Sequence, residues 1–228
     1  CLGITLQLGY AGLTNFAGAA FLGVGGYTVA VLGHHNIPDV LVILLGGVMA
    51  SIIGSLLILP VLRTRGHYAA LVTIAFALLF KTFLEINDAL GGPQGLKIDS
   101  FDIFGWDFNE KVIESSFYIS YVLASLFLLL IVFILIRRIE KSWVGLQLDA
   151  VRLDEIAASC FGINIALWKI IAFTLGNFFI GLAGGLYAQM LGHIAPTNFT
   201  FSDSLILISI VILGGIGNPL GVLPAAFL

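Results

Sequence analysis

Few side chains in this sequence can do chemistry, and their spacing limits what that chemistry is. Lys81 and Glu85 stand four residues apart in an apolar stretch, the spacing that brings opposite charges together on one helix face. A second reading stays open, in which each side chain snorkels separately near a helix end. Asp154 and Glu155 open the stretch DEIAASCFG. There Asp154 is suited to accept backbone N–H bonds as an N-cap, Glu155 sits in the first turn, and Gly162 is a natural C′ residue. His34, His35, His67 and His193 fall near loop or segment ends without Cys, Asp or Ser at useful spacing. Neither a metal site nor a nucleophilic centre is implied. Cys1 and Cys160 make no disulfide framework. There is no GxxxxGK(S/T) phosphate cradle, so the chain is not expected to hydrolyse ATP itself, and no bound cofactor is expected.

The remaining candidates are uncharged. Thr14, Asn15, Thr174, Asn177 and Gln189 are polar groups inside apolar runs. Three glycine clusters accompany them: GLTNFAGAAFLGVGG at 12–26, GNFFIGLAGGLYA at 176–188 and LGGIGNPLGVLP at 213–224. Small residues at such spacings let helices approach closely in lipid. They also break helices and bare backbone along a path, which lipid-exposed segments do not tolerate. The third cluster, with Pro219 and Pro224, predicts a re-entrant turn or a gate rather than continuous helix. Gly12, Asn15, Asn177, Gly214, Gly215 and Gly217 are therefore the candidate path or gate residues.

These groups must be held by membrane-embedded helices. Hydrophobic residues make up 59% of the 228 and charged ones 10%, with a mean hydropathy of +1.08. Such a chain cannot cover itself with the charged surface of a soluble domain. Its apolar runs are long rather than alternating, which favours an all-α polytopic fold over an outer-membrane barrel. Strong spans are expected at 40–60, 117–136, 166–191 and 203–228, and a shorter one at 69–86. Residues 1–33 read as a partial helix followed by a second, interrupted one. No soluble domain boundary occurs, so 1–228 reads as one membrane domain, with both ends looking like cut points of a longer protein.

Charge placement orients it. Arg63 and Arg65 mark the loop 61–68, and Arg137, Arg138, Lys141 and Arg152 mark 137–165, assigning both to the cytoplasm. The connection 87–116 carries Asp88, Asp99, Asp102, Asp107, Glu110 and Glu114 against Lys97 and Lys111, and is expected outside. Within it, Gly91, Gly92, Pro93 and Gly95 predict a structured turn cluster, either a docking loop or an ordinary turn. On the cytoplasmic side, Leu153, Ile156 and Cys160 are expected to share one face of a short helix. That ridge suits docking into a groove on a partner, or lying on the bilayer. Spans with almost no buried charge argue against an ion-driven carrier, and a displayed helix argues against a self-contained channel.

The segments GYAGLTNFAGAAFLGVGGYT, LRTRGHYAALVTIAF, LGGPQGL, VRLDEIAASCFGINIALWKIIAF and GLAGGLYAQMLGHIAPTNFTFSDSLILISIVILGGIGNPLG occur in that order and cover nearly the whole chain. In this it resembles the permeases of branched-chain amino acid ABC importers, of the LivM type; closely similar permeases import urea or short amides. The resemblance implies an ABC importer permease-type helical bundle in the cytoplasmic (inner) membrane, surrounded by lipid and without a nucleic-acid partner. It implies a second, LivH-like permease, two ABC ATPase subunits that carry ATP and magnesium, and a periplasmic or lipid-anchored substrate-binding protein. It also implies that 137–165 is the cytoplasmic coupling loop, with Arg152, Asp154, Glu155, Ala158 and Gly162 as the ATPase-coupling residues. Gly91, Gly92, Pro93 and Gly95 would face the binding protein. The chain departs from the family pattern at Asn218, where Ser is more usual, and at His67, Phe161 and Pro224.

Overall fold

A backbone in hydrocarbon must satisfy its own polar groups, and helices do this within one segment. The computed structural model describes residues 1–33, 38–63, 68–98, 102–103, 106–107 and 114–227. Helix α1, Leu2–Ile4, runs straight into a π-helical stretch, Thr5–Tyr10, and α2 follows at Gly18–Leu32. Next come α3 (Asp39–Arg63), α4 (Tyr68–Ile86) and strands β1 (Leu96–Lys97), β2 (Asp102–Ile103) and β3 (Trp106–Asp107). The chain continues through α5 (Glu114–Glu140), α6 (Trp143–Leu153), α7 (Glu155–Cys160), α8 (Ile165–Leu191), β4 (His193–Ile194), α9 (Phe201–Leu213) and α10 (Pro219–Ala225). Strand β1 pairs antiparallel with β4, Leu96 opposite Ile194 and Lys97 opposite His193, while β2 pairs with β3.

Five helical segments of the described residues are long and apolar enough to cross a membrane: Asp39–Leu62, Ala69–Ile86, Ile119–Glu140, Ile165–Leu191 and Pro196–Leu213. The fold is all-α and multi-pass. Lys81 and Glu85 lie 3.7 Å apart on α4, so they pair rather than snorkel separately.

Helix α8 is the centre of the bundle, with α2 and α3 packed along it. Gly25 of α2, Gly46 of α3 and Gly181 of α8 meet backbone to backbone, so that a Cβ on Gly25 would collide with the Gly181 carbonyl. Lipid supplies no hydrophobic drive between helices, and such close approach replaces it with dispersion contact. Phe21 fills the space left over, stacked on Phe76 at 5.1 Å and edge-on to Phe173 at 6.0 Å.

The interruption expected at 213–224 is present: the helix stops at Leu213, passes through Gly214–Asn218 and restarts at Pro219. Two other expectations need correction. Helix α2 is unbroken, and the interruption in 1–33 falls before it, at residues 12–17. The segment 137–165 is mostly helical, because α5 persists to Glu140 and α6 precedes α7. Helix α6 forms because Gly145, Leu148 and Val151, each three residues apart, are all buried on one face. Leu153 consequently belongs to α6 rather than to the short helix after it. His34, His35, Arg65 and His67 lie outside the described residues, as do Asp99, Glu110 and Lys111 of the acidic connection.

Candidate translocation junction

The first interruption is held by side-chain amides. Gly12 adopts φ +65° and ends the π-helical stretch. Three residues later the Asn15 side chain turns inward, and its Oδ1 accepts from the Ala17 N–H at 2.9 Å, starting α2. Asn15 Nδ2 donates to Gln7 Oε1 at 2.8 Å and to Asn177 Oδ1 at 3.1 Å. Gln7 Nε2 donates to the same Asn177 oxygen at 2.9 Å and to the Phe173 carbonyl at 3.0 Å. All three amides are fully buried. Two N–H groups around the start of α2 are satisfied from other helices: Phe16 N–H donates to Thr73 Oγ1 of α4 at 3.1 Å, Ala19 N–H to Ser204 Oγ of α9 at 3.0 Å. Leu13, Asn15 and Ala17 of the break are buried in protein, as irregular backbone at membrane depth requires, while Gly12 is exposed. Asn177 Nδ2 finds no hydrogen-bond partner among the described residues and abuts Gly54 of α3.

The second interruption meets the first. Gly215 and Gly217 have φ of +95° and +83°, and Gly214 packs so tightly on returning α10 that a Cβ there would stand 2.6 Å from the Val222 Cα. A Cβ on Gly9 would stand 2.6 Å from the Gly217 nitrogen, so the π-helical stretch just before the first break meets the second break through backbone. Asn218 caps α10, accepting from the Leu220 and Gly221 N–H groups at 3.2 and 3.4 Å. Ser and Asn are both good N-caps, so this departure from the family pattern keeps the turn.

Arg152 of α6 closes the contact. Its Nη1 donates to the Gly9 carbonyl at 2.5 Å, its Cγ lies under Gly12, and its guanidinium borders Gly217. Asp149, one turn earlier, stands 3.6 Å from Nη2. Of the five residues expected on the coupling loop, Arg152 therefore reaches into the bundle. Ala158 also faces inward and is buried. Asp154 caps α7 as expected, accepting from Ile156 and Ala157 at 2.8 and 3.1 Å. Gly162, at φ +79°, closes its far end: its N–H donates to Ser159 and that of Ile163 to Ala158, at 3.0 and 3.1 Å. Glu155 is tied to Lys169 of α8 at 2.6 Å. Outward from these ties, Trp143, Leu146, Leu153, Ile156 and Phe161 are exposed apolar side chains, and Cys160 is exposed beside them.

At the other end of the bundle, Asn87 caps a single 3₁₀ turn by accepting from Ala89, and Gly91 and Gly95 take φ +81° and +79°. A Cβ on Gly95 would overlap the Ile194 carbonyl, so the glycine is what lets β1 reach β4. Gly92 is buried, while Pro93 and Gln94 are exposed. The segment is a structured turn; His193 stands exposed beside it in β4.

Sequence reasoning did not single out Gln7, the hub of the amide cluster. A lone glutamine in an apolar helix was the available signal. Two apolar grooves of about 380 and 640 Å³ flank α5 and contain none of the cluster.

A bundle of apolar helices, two of whose membrane segments are interrupted and meet beside a displayed helix pair, defines a class: a polytopic membrane permease. The family follows from comparison. Residues 1–228 match the family described as "Branched-chain amino acid transport system / permease component", and the chain belongs to it. It is 33% identical over 246 residues to the "High-affinity branched-chain amino acid transport system permease protein LivM" of Escherichia coli, covering 100% of this chain and 58% of that protein. The protein of the same name from Salmonella typhimurium gives the same identity and coverage. A "Probable branched-chain amino acid transport permease protein LivM" of Methanocaldococcus jannaschii is 25% identical over 264 residues, covering 97% of this chain and 72% of its own. The chain thus spans about three-fifths of the length of the two bacterial relatives, 58% in each case. No solved structure matches it significantly.

Proposed function

We propose that the chain is a permease subunit of an ATP-binding cassette importer in the cytoplasmic membrane. With a second, LivH-like permease it forms the path for branched-chain amino acids. Two ATPase subunits carry ATP and magnesium, and an external binding protein delivers the substrate near Pro93 and Gln94. The observation that carries this reading is the apolar ridge Leu153, Ile156 and Phe161 displayed beside the junction of the two interruptions. Exposed large apolar side chains on and flanking a short capped helix suit a groove on a soluble partner. Its ties to Lys169 and Gly9 give any movement of that partner a route into the spans. The names of the relatives supply the substrate class. Among the described residues the buried polar side chains are amides and hydroxyls, which suits a net-neutral zwitterion.

The test is uptake of labelled leucine and labelled urea into proteoliposomes holding the full-length protein with its partner permease, ATPases and binding protein. Leucine uptake that needs nucleotide and binding protein is the expected result. Urea uptake alone would change the cargo, and flux indifferent to ATP would overturn the importer reading.

A further inference from the structure

We infer that Arg152 is a positioning residue: a latch through which α6 holds the two helix interruptions together and relays its own movement to the buried amide cluster. The inference rests on the importer reading for its functional consequence, while its structural core stands on the contacts alone.

The Gly9 carbonyl sits near the end of the π-helical stretch, where helix geometry leaves acceptors without an intrahelical donor. Arg152, 143 residues away in sequence, supplies that donor. A charged donor on a backbone carbonyl is stronger than a neutral one, and its loss orphans the carbonyl. The same side chain touches both breaks, with its stem against Gly12 and its head against Gly217. Gly9 and Gly217 meet through backbone, and Arg152 touches both sides of that contact. Asp149 steadies the guanidinium from within α6. Gly9 lies two residues from Gln7, on the same π-helical stretch, and Gln7 bonds Asn177 and, through Asn15, the start of α2. A contiguous bonded route therefore leads from α6 through Arg152, Gly9 and Gln7 to helices α2 and α8. The latch falls on a π-helical stretch, and such turns recur at functional sites.

The experiment compares the full-length protein carrying Arg152, Arg152→Lys or Arg152→Met, in the assembled transporter and in nanodiscs without nucleotide. Hydrogen–deuterium exchange reads the latch directly. Arg152→Met is expected to speed exchange about tenfold in peptides spanning Tyr10–Asn15 and Gly214–Asn218, leaving α3 and α8 unchanged. Arg152→Lys, which keeps one charged donor, is expected to fall between. The number of substrates moved per ATP hydrolysed reads the relay: it falls in Arg152→Met while ATP hydrolysis continues, and Arg152→Lys restores part of it. Unchanged exchange at both breaks overturns the latch. Faster exchange with a wild-type transport-to-ATP ratio leaves a mere staple and overturns the relay. Failure of all nucleotide-dependent uptake in the Arg152 protein sinks the importer reading instead, and the exchange result still decides the latch.

Discussion

Glu155 and Lys169 face each other at 2.6 Å, fastening the short helix α7 to α8. The lysine side chain is 15% exposed and the carboxylate 55%, so the pair is half in water and contributes at most about 1 kcal/mol to stability. Its value lies in orientation, since it holds the apolar ridge at a fixed angle to a membrane-spanning helix. Glu155→Lys, which sets like charges against each other, is expected to cut nucleotide-driven uptake about tenfold. The thermal midpoint should move by less than about 4 °C. The exchanged pair Glu155→Lys with Lys169→Glu should recover uptake. Uptake measured in all three variants checks this, and full activity in the single variant would sink the coupling role.

Gly9 has no room for a methyl group. Gly9→Ala would drive a Cβ to 2.6 Å from the Gly217 backbone, which cannot swing aside as a flexible side chain would. A loss of about 1–3 kcal/mol and of transport is expected. Gly33→Ala is the matched control, because among the described residues nothing stands within 4 Å of its Cβ and its φ of −58° suits alanine. That variant should be neutral or slightly stabilised by about 0.5 kcal/mol. Thermal scans of the two proteins side by side separate these outcomes.

The buried amides form one unit. Asn15→Ala and Asn177→Ala each leave a buried donor or acceptor of Gln7 unpaired, and each should cost about 1–3 kcal/mol. Because both act on the same hub, the double variant should cost about 0.5–3 kcal/mol less than the sum. Unfolding titrations in mixed micelles give the cycle. Strict additivity would mean that the three amides do not share a network.

Gly95→Ala should unseat the turn outside the bundle. Its φ of +79° disfavours a side chain, and its Cβ would meet the Ile194 carbonyl across the ladder. Limited proteolysis of the 87–98 segment should become several-fold faster. Pro93→Ala, at an exposed position, should leave proteolysis unchanged and weaken only uptake that depends on the binding protein. Proteolysis that is equal in both variants would remove the structural role assigned to Gly95.

The long helices were legible because their apolar runs match the length of a span. Helix α3 was expected at 40–60 and runs Asp39–Arg63, and α8 was expected at 166–191 and runs Ile165–Leu191. Cap chemistry was legible too: Asp154 and Gly162 bound α7 as their types require. Helix α6 was passed over because Arg137, Arg138, Lys141 and Arg152 marked 137–165 as a charged loop, although Gly145, Leu148 and Val151 carried the helical period. The inward reach of Arg152 and the meeting of Gly9 with Gly217 were not legible. Those contacts join segments 143 residues or more apart, and no local pattern encodes which distant carbonyl an arginine finds.

The ladder between β1 and β4 has a mechanical meaning. Leu96 and Lys97 bind the exit of α4 to Ile194 and His193 at the exit of α8, so those two helices are stitched together at that rim. At the opposite rim, the tie between α6 and the Gly9 carbonyl is one side chain. Backbone ladder bonds fasten one rim, and side-chain contacts from Arg152 and Glu155 fasten the other, so the rim near α6 and α7 is expected to exchange its amide hydrogens faster.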